Sequence, residues 1–447
     1  MPAKPYNRPE SIERQFTPCP RSPHFLNPTA GPAALATAPR PTSAGMPVKP
    51  DMPAAQLPMP LTPPPGRFAL CTRRQWLALI LGAGAANALA LPVRTLQFPR
   101  DHGSHPDLHT EWWYLTGHVH AEGRLWGFQV TFFRSRVDAT QGMQSAFAAR
   151  QLLFAHAALT DIQGQRLHHD QRIARAGFGV AQASESDTAV KLRDWSLART
   201  ALPDGTQRAA PGSAGQSPIT SGSRYLARVE GDGFGLDLRC DTAQPPLLQG
   251  RQGLSRKGPE AAQASYYYSQ PQLAVSGAIV LNGRSMVIES STTDNDTNRA
   301  WLDHEWSDAL MHPDAVGWDW IGMNLYDGSA LTAFRLRRAD GSTLWTGGSF
   351  RPVRQETQVF ANNTVVFAAE RHWSSPLSDA RYPVQWLVTT PAGQFGVRAL
   401  LDDQELDSSS STGAIYWEGL SELRNGAGEA VGRGYLEMTG YKKPLRL

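Results

Sequence analysis

The sequence predicts an all-β protein of two antiparallel β domains, each a sandwich or an up-and-down barrel. Three observations carry this. Beyond about residue 98, apolar residues alternate with polar ones in short runs at 113–119, 126–133, 152–159, 225–229, 234–238, 275–281, 286–288 and 318–325. Turn pairs separate the runs, among them Glu122-Gly123, Asp232-Gly233, Asn282-Gly283, Asp327-Gly328 and Asp340-Gly341; Asn-Gly and Asp-Gly supply the positive φ that two-residue hairpins need. No part of this region keeps a helical apolar spacing over the length of a helix. The roughly 355 residues concerned exceed one such core, so two domains are expected, 91–310 and 311–447.

What precedes them differs in kind. Of the 34 prolines, 18 fall within residues 1–71, where no periodic apolar pattern exists. Such a segment buries too little apolar surface to offset its ordering entropy and is expected to be disordered. Residues 72–90 then read as a twin-arginine export signal: Arg73-Arg74, an apolar run, and small residues ending in Ala86-Asn87-Ala88 or Ala88-Leu89-Ala90. The run is too short for a membrane helix of about 20 residues. A periplasmic or secreted mature protein without a transmembrane helix follows as the expectation.

Composition narrows the partners. The chain has 447 residues, 41% hydrophobic and 19% charged, with 3 cysteines, which excludes a disulfide scaffold or a Cys-rich zinc module. Its net charge of +3 is misleading, because residues 1–90 hold 9 basic and 3 acidic residues. The remainder carries 34 against 37, a net −3 that gives no basic face for nucleic acid.

Chemistry-bearing residues cluster in two places. Asp101, His102, His105, Asp107 and His109 fill a Pro/Gly-containing loop before a strand that puts Glu111, Trp113 and Leu115 on one face and Trp112, Tyr114 and Thr116 on the other. Their spacing matches no standard metal site; we read loop histidines capping strand ends, and expect neither metal nor cofactor. The second cluster is Trp301-Leu302-Asp303-His304-Glu305-Trp306, followed by Trp318-Asp319-Trp320. In a strand Trp301, Asp303 and Glu305 share a face. Two readings stand. Burial and like charge make Asp303 a general acid, with Glu305 raising its pKa and indole faces stabilising a cation; or both carboxylates pair with Arg134 or Arg136, or with backbone amides, and simply close a barrel end. Tyr266-Tyr267-Tyr268 is a lid or the start of an amphipathic strand. No Gly-x-Ser-x-Gly, His-Glu-x-x-His or phosphate loop is present.

Several motifs resemble the AttH/CrtC family, which includes the carotenoid 1,2-hydratases (hydroxyneurosporene synthases) and AttH-like predicted secreted hydrolases. They are Phe98-Pro99-Arg100-Asp101-His102-Gly103, Thr110-Glu111-Trp112-Trp113-Tyr114, Gly127-Phe128-Gln129-Val130-Thr131-Phe132-Phe133-Arg134, Phe154-Ala155-His156, the Asp303 segment, Gly317-Trp318-Asp319-Trp320, Tyr416-Trp417-Glu418-Gly419 and Gly440-Tyr441. The resemblance implies two lipocalin-like β-barrels with an apolar ligand in a barrel interior. It also implies Asp303 as proton donor to an isoprenoid double bond. Asp303, His304 and Trp306 match the hydratase motif Tyr-x-Asp-His-Asn-Trp, while Trp301 replaces its Tyr and Glu305 its Asn, departures that favour the AttH-like branch. The function expected is therefore binding of a lipid or isoprenoid, in company with an ABC transporter. The alternative is an acid-catalysed hydratase or hydrolase using Asp303, His304 and Glu305; a structural envelope protein is a third reading. Expected ligand-binding residues are Trp112, Tyr114, Trp301, Trp306, Trp318, Trp320, Tyr266 and Tyr268.

Overall fold

The computed structural model describes residues 90–202, 222–290, 298–309 and 311–445. The Pro-rich segment and all but the last residue of the proposed export signal lie outside them. Among the described residues the strands form two antiparallel sheets, of fourteen and ten strands, and the only helical pieces are 3-10 turns at Arg100–His102 and Asp138–Thr140. No helix among these residues is long and apolar enough to cross a membrane. Each apolar run falls on a strand, and Asn282 and Gly283, with φ 50° and 78°, make one of the expected tight turns.

At the centre of the first sheet, strand Thr110–Ala121 pairs with Arg124–Arg136 on one side and with Arg299–Ser307 on the other, setting Tyr114 opposite Asp303. Arg299–Ser307 pairs in turn with Ala264–Leu281, setting Ser269 opposite Asp303 and Tyr267 opposite Glu305. The tyrosine triplet therefore begins a strand and is no lid. The chain leaves the first sheet at Ser307 and enters the second at Gly317. There, Gly317–Leu325 pairs with Ala430–Thr439, which pairs with Ala414–Arg424 and sets Glu418 opposite Glu437.

Each sheet curls around its own apolar core in a lipocalin-like β-barrel arrangement. In the first, Arg172 lays its guanidinium over the Trp195 ring at 4.7 Å, joining distant strands. Its interior is filled by side chains such as Trp113, Trp126, Phe128 and Phe132, and the second by Ile321, Trp386, Trp417 and Leu436. Each such burial contributes about 1.5–3 kcal/mol. A third cluster, including Tyr114, Trp301, Trp320, Phe334 and Leu420, joins the two sheets.

A bulge reinforces that junction. Pro271 has no N–H for the ladder, and the register slips between Gln270 and Leu273. The freed Gln272 N–H donates to Asn324 Oδ1 at 2.8 Å, and its side-chain amide donates to the Leu325 and Ser329 carbonyls at 2.9 Å each. Close backbone approach matters equally within the second sheet: a Cβ on Gly434 would overlap the Gly322 carbonyl oxygen. Gly434→Ala is therefore expected to cost about 1–3 kcal/mol, as overpacking does. Urea unfolding measures it, and an unchanged midpoint would mean the strands part freely.

Candidate active site

Between the two sheets lies a cavity of ≈ 420 Å³. One wall carries Trp112, Tyr114, Tyr267, Asp303 and Glu305 from the first sheet, with Lys257 beside them. The other carries Trp318, Trp320, Phe334, Leu336, Glu418 and Glu437 from the second. The resemblance placed a ligand inside a barrel. Both interiors are packed with side chains, and the cavity belongs to the junction.

Strand alternation brings Asp303 there, since its neighbours Leu302 and His304 turn toward the first barrel. Its Oδ1 accepts from Ser269 Oγ and from Trp301 Nε1, both at 2.6 Å, and its Oδ2 accepts from the Tyr267 hydroxyl at 2.7 Å. Trp320 Nε1 in turn donates to the Tyr267 oxygen at 3.3 Å. Burial pushes the Asp303 carboxyl up to about 7; the three hydrogen bonds oppose this, and the charge of Glu305 adds to it. Among the described residues no cation pairs with Asp303. Glu305 is held differently: Lys257 Nζ lies 3.0 Å from its Oε1, Ser265 donates to the same oxygen, and the ammonium sits over the Tyr267 and Phe334 rings at 4.6 and 4.4 Å. One carboxyl is thus neutralised by a lysine while its neighbour keeps a proton near neutral pH. That pair of environments suits a general acid.

Neither arginine named as a partner for these carboxylates reaches them. Arg134 points to the opposite face of the sheet, where its Nε donates to Glu111 Oε2 at 2.7 Å, while Arg136 pairs with Asp138. Around Glu111 a buried clasp forms. His105 Nδ1 is 2.8 Å and His304 Nε2 3.0 Å from Glu111 Oε1, His105 Nε2 is 3.0 Å from Asp101 Oδ1, and Arg94 pairs with Asp101. Burial works against the Glu111 charge, but the hydrogen bonds of both histidines and Arg134 carry it well below the usual range. Burial pushes His304 down to about 4, against the pull of Glu111, so its ring is neutral at neutral pH. Trp306 stacks on His105 with ring centres 3.9 Å apart, and Trp113 on His304 at 4.7 Å. His105, Glu111 and His304 do present atoms within 4.8 Å of one another, as metal ligands would. Both histidines are hydrogen-bonded to Glu111, and the three hold one another as a clasp.

The structure therefore divides the residues singled out from sequence. Asp303, Glu305, Trp112, Tyr114, Trp318 and Trp320 meet at the cavity, and Trp301 supports Asp303 from beside it. His304, Trp306, Tyr266 and Tyr268 lie on the other face of their strands, packed with the clasp. The sequence reading missed Tyr267, whose alternation with Tyr266 and Tyr268 was a usable signal. It also missed Lys257, Ser265 and Ser269, and Glu437, whose partnership is set only by long-range strand pairing.

The chain is similar in sequence and fold to known proteins. A solved AttH candidate from Nitrosomonas europaea is 42% identical, with a TM-score of 0.68 over 79% of this chain and 99% of its own. Kievitone hydratase from Nectria haematococca shares the fold at 12% identity and TM-score 0.57, over 78% and 94%. No curated protein matches the sequence. The AttH-like family model matches residues 89–441, and the chain belongs to the AttH-like family.

Proposed function

We propose that the protein binds a small apolar molecule in the cavity between its sheets and that Asp303, as general acid, adds or removes water across a carbon–carbon double bond of that molecule. The observation carrying this reading is a buried carboxyl held at about 7 on an aromatic wall, hydrogen-bonded to Ser269, Trp301 and Tyr267 while the nearby Lys257 pairs with Glu305 instead. A proton delivered from Asp303 to an alkene carbon leaves a carbocation, and the indole and phenol faces of Trp112, Tyr114, Trp318 and Trp320 stabilise it. The cavity volume falls in the lower part of the roughly 300–1,000 Å³ typical of small-molecule sites. Lipids and isoprenoids are the ligand classes that the walls favour. Export by the twin-arginine route and exchange with an ABC-type transporter belong to the same reading; they rest on residues 72–90 and on the family resemblance.

The aromatic walls would equally serve a carrier without chemistry, and one experiment tests both roles. The purified protein is titrated with the neutral fluorophore N-phenyl-1-naphthylamine, and its solvent extract is examined by mass spectrometry. It is then incubated in D₂O with farnesene and nerolidol. Saturable binding and deuterium at a former alkene carbon are expected. Binding without deuterium incorporation would leave a carrier; no saturable binding would overturn both roles.

A further inference from the structure

The second-sheet wall of the cavity carries polar groups that Asp303 chemistry alone does not use. Glu418 and Glu437 stand opposite each other on paired strands, the first buried and the second half-buried, and both line the cavity. Trp318 Nε1 donates to Glu437 Oε1 at 2.8 Å, and Glu418 Oε1 lies 3.3 Å from His156 Nε2. Glu418 Oε2 has no hydrogen-bond partner among the described residues. Across from this pair, the Tyr114 hydroxyl is also buried without a partner, close enough to feel the charges of Glu418, Glu437 and Asp303. Burial, followed by the neighbouring Glu418, holds the Glu437 carboxyl well above the usual carboxylate range.

A buried donor and a buried acceptor left unmatched each carry a desolvation penalty, and native proteins rarely keep them without a use. Here both border one cavity whose remaining surface is mostly aromatic and aliphatic. We propose that Tyr114, Glu418 and Glu437 form the oxygen-binding end of the cavity, seating the single hydroxyl of an otherwise apolar alcohol or the water that becomes it. A hydroxyl both accepts, from Tyr114, and donates, to Glu418 Oε2. An ammonium offers no acceptor, and a carboxylate meets a like charge. This inference rests on the preceding reading and assigns the two ends of its reaction. In hydration, the Asp303 proton goes to one alkene carbon and the seated water forms the C–O bond to the other carbon. The surplus proton of that water passes to the Glu418–Glu437 pair and returns through solvent to Asp303, for a net addition of one water; dehydration is the reverse.

The test is displacement of bound N-phenyl-1-naphthylamine by farnesene, farnesol and farnesylamine, which share a carbon skeleton and differ in the head group. Farnesol is expected to displace the fluorophore at a roughly tenfold lower concentration than farnesene, the worth of one or two hydrogen bonds. In Tyr114→Phe and Glu418→Gln the ratio of farnesol to farnesene displacement should fall toward unity. Equal displacement by farnesol and farnesene in the unaltered protein, or a preference for the amine, would overturn the assignment while leaving the cavity reading intact. Failure of the fluorophore to bind at all would remove the cavity reading, and this inference with it.

Discussion

Asp303→Asn is expected to lower turnover by roughly 10²–10⁴-fold, the range for loss of a positioned general acid, while raising the stability of the protein above neutral pH. The two effects share one cause. In the unfolded chain this carboxyl titrates near 3.8, and in the fold at about 7. The folded state therefore holds an extra proton between these values. The contribution of Asp303 to stability is complete below pH 3.8, declines as pH rises through 7, and is flat beyond. Keeping the ionised group buried costs on the order of 4 kcal/mol, since each tenfold change in proton affinity is about 1.4 kcal/mol. Asparagine has nothing to ionise, and its geometry suits the site: Oδ1 still accepts from Ser269 and Trp301, and Nδ2 can donate to the Tyr267 oxygen. Urea unfolding at pH 5 and pH 8 reads the effect as a gap between variant and parent that widens with pH. A gap of the same size at both values would mean that Asp303 titrates normally and is no acid at neutral pH.

That widening also separates Asp303 from Glu305, one position pair along the same strand face, and the separation shows what the sequence could carry. Alternation alone puts Trp301, Asp303 and Glu305 together and turns His304 and Trp306 away, and the structure has them so. Period two is local, fixed by the pleat of one strand. The partner of each face is not local. The aromatic residues on both faces of Thr110–Ala121 left open which face met a core and which a cavity, because both faces are buried against different sheets. Lys257 comes from a polar stretch that reads as a loop, and only the fold sets its ammonium against Glu305. Glu418 sat in a motif of the sequence, but Glu437 joins it through pairing of the last two strands. The fold class was legible because turns and alternation repeat many times. The site was half legible because it is assembled once, from eight separated segments.

The clasp on the opposite face gives the largest expected effect on folding. Arg134 is buried and makes four hydrogen bonds: Nε to Glu111, Nη1 to Gln151 Oε1 at 2.8 Å, and Nη2 to the His105 and Leu108 carbonyls at 3.0 and 2.9 Å. Arg134→Ala removes the arginine on the fully buried Glu111 carboxylate and takes a donor from two loop carbonyls, of which that of His105 keeps the Leu108 N–H. A destabilisation of about 3–5 kcal/mol is expected, as when one partner of a buried ion pair is deleted. Arg134→Lys keeps the charge but loses the planar fork, so it should recover only part of the loss. The pH dependence has the opposite sign from that of Asp303. Glu111 is held below its usual range and Asp101 at about 2, so their contribution is present above the ordinary carboxylate pKa and disappears as pH falls through the folded values. The arginine variant, with Glu111 less depressed, should therefore lose less on acidification than its parent. Unfolding midpoints at pH 7 and pH 3.5 measure both features. Equal midpoints for Arg134→Ala and parent at pH 7 would show that the clasp is idle; a deficit that shrinks in acid ties the stability of the first barrel to the Glu111 charge.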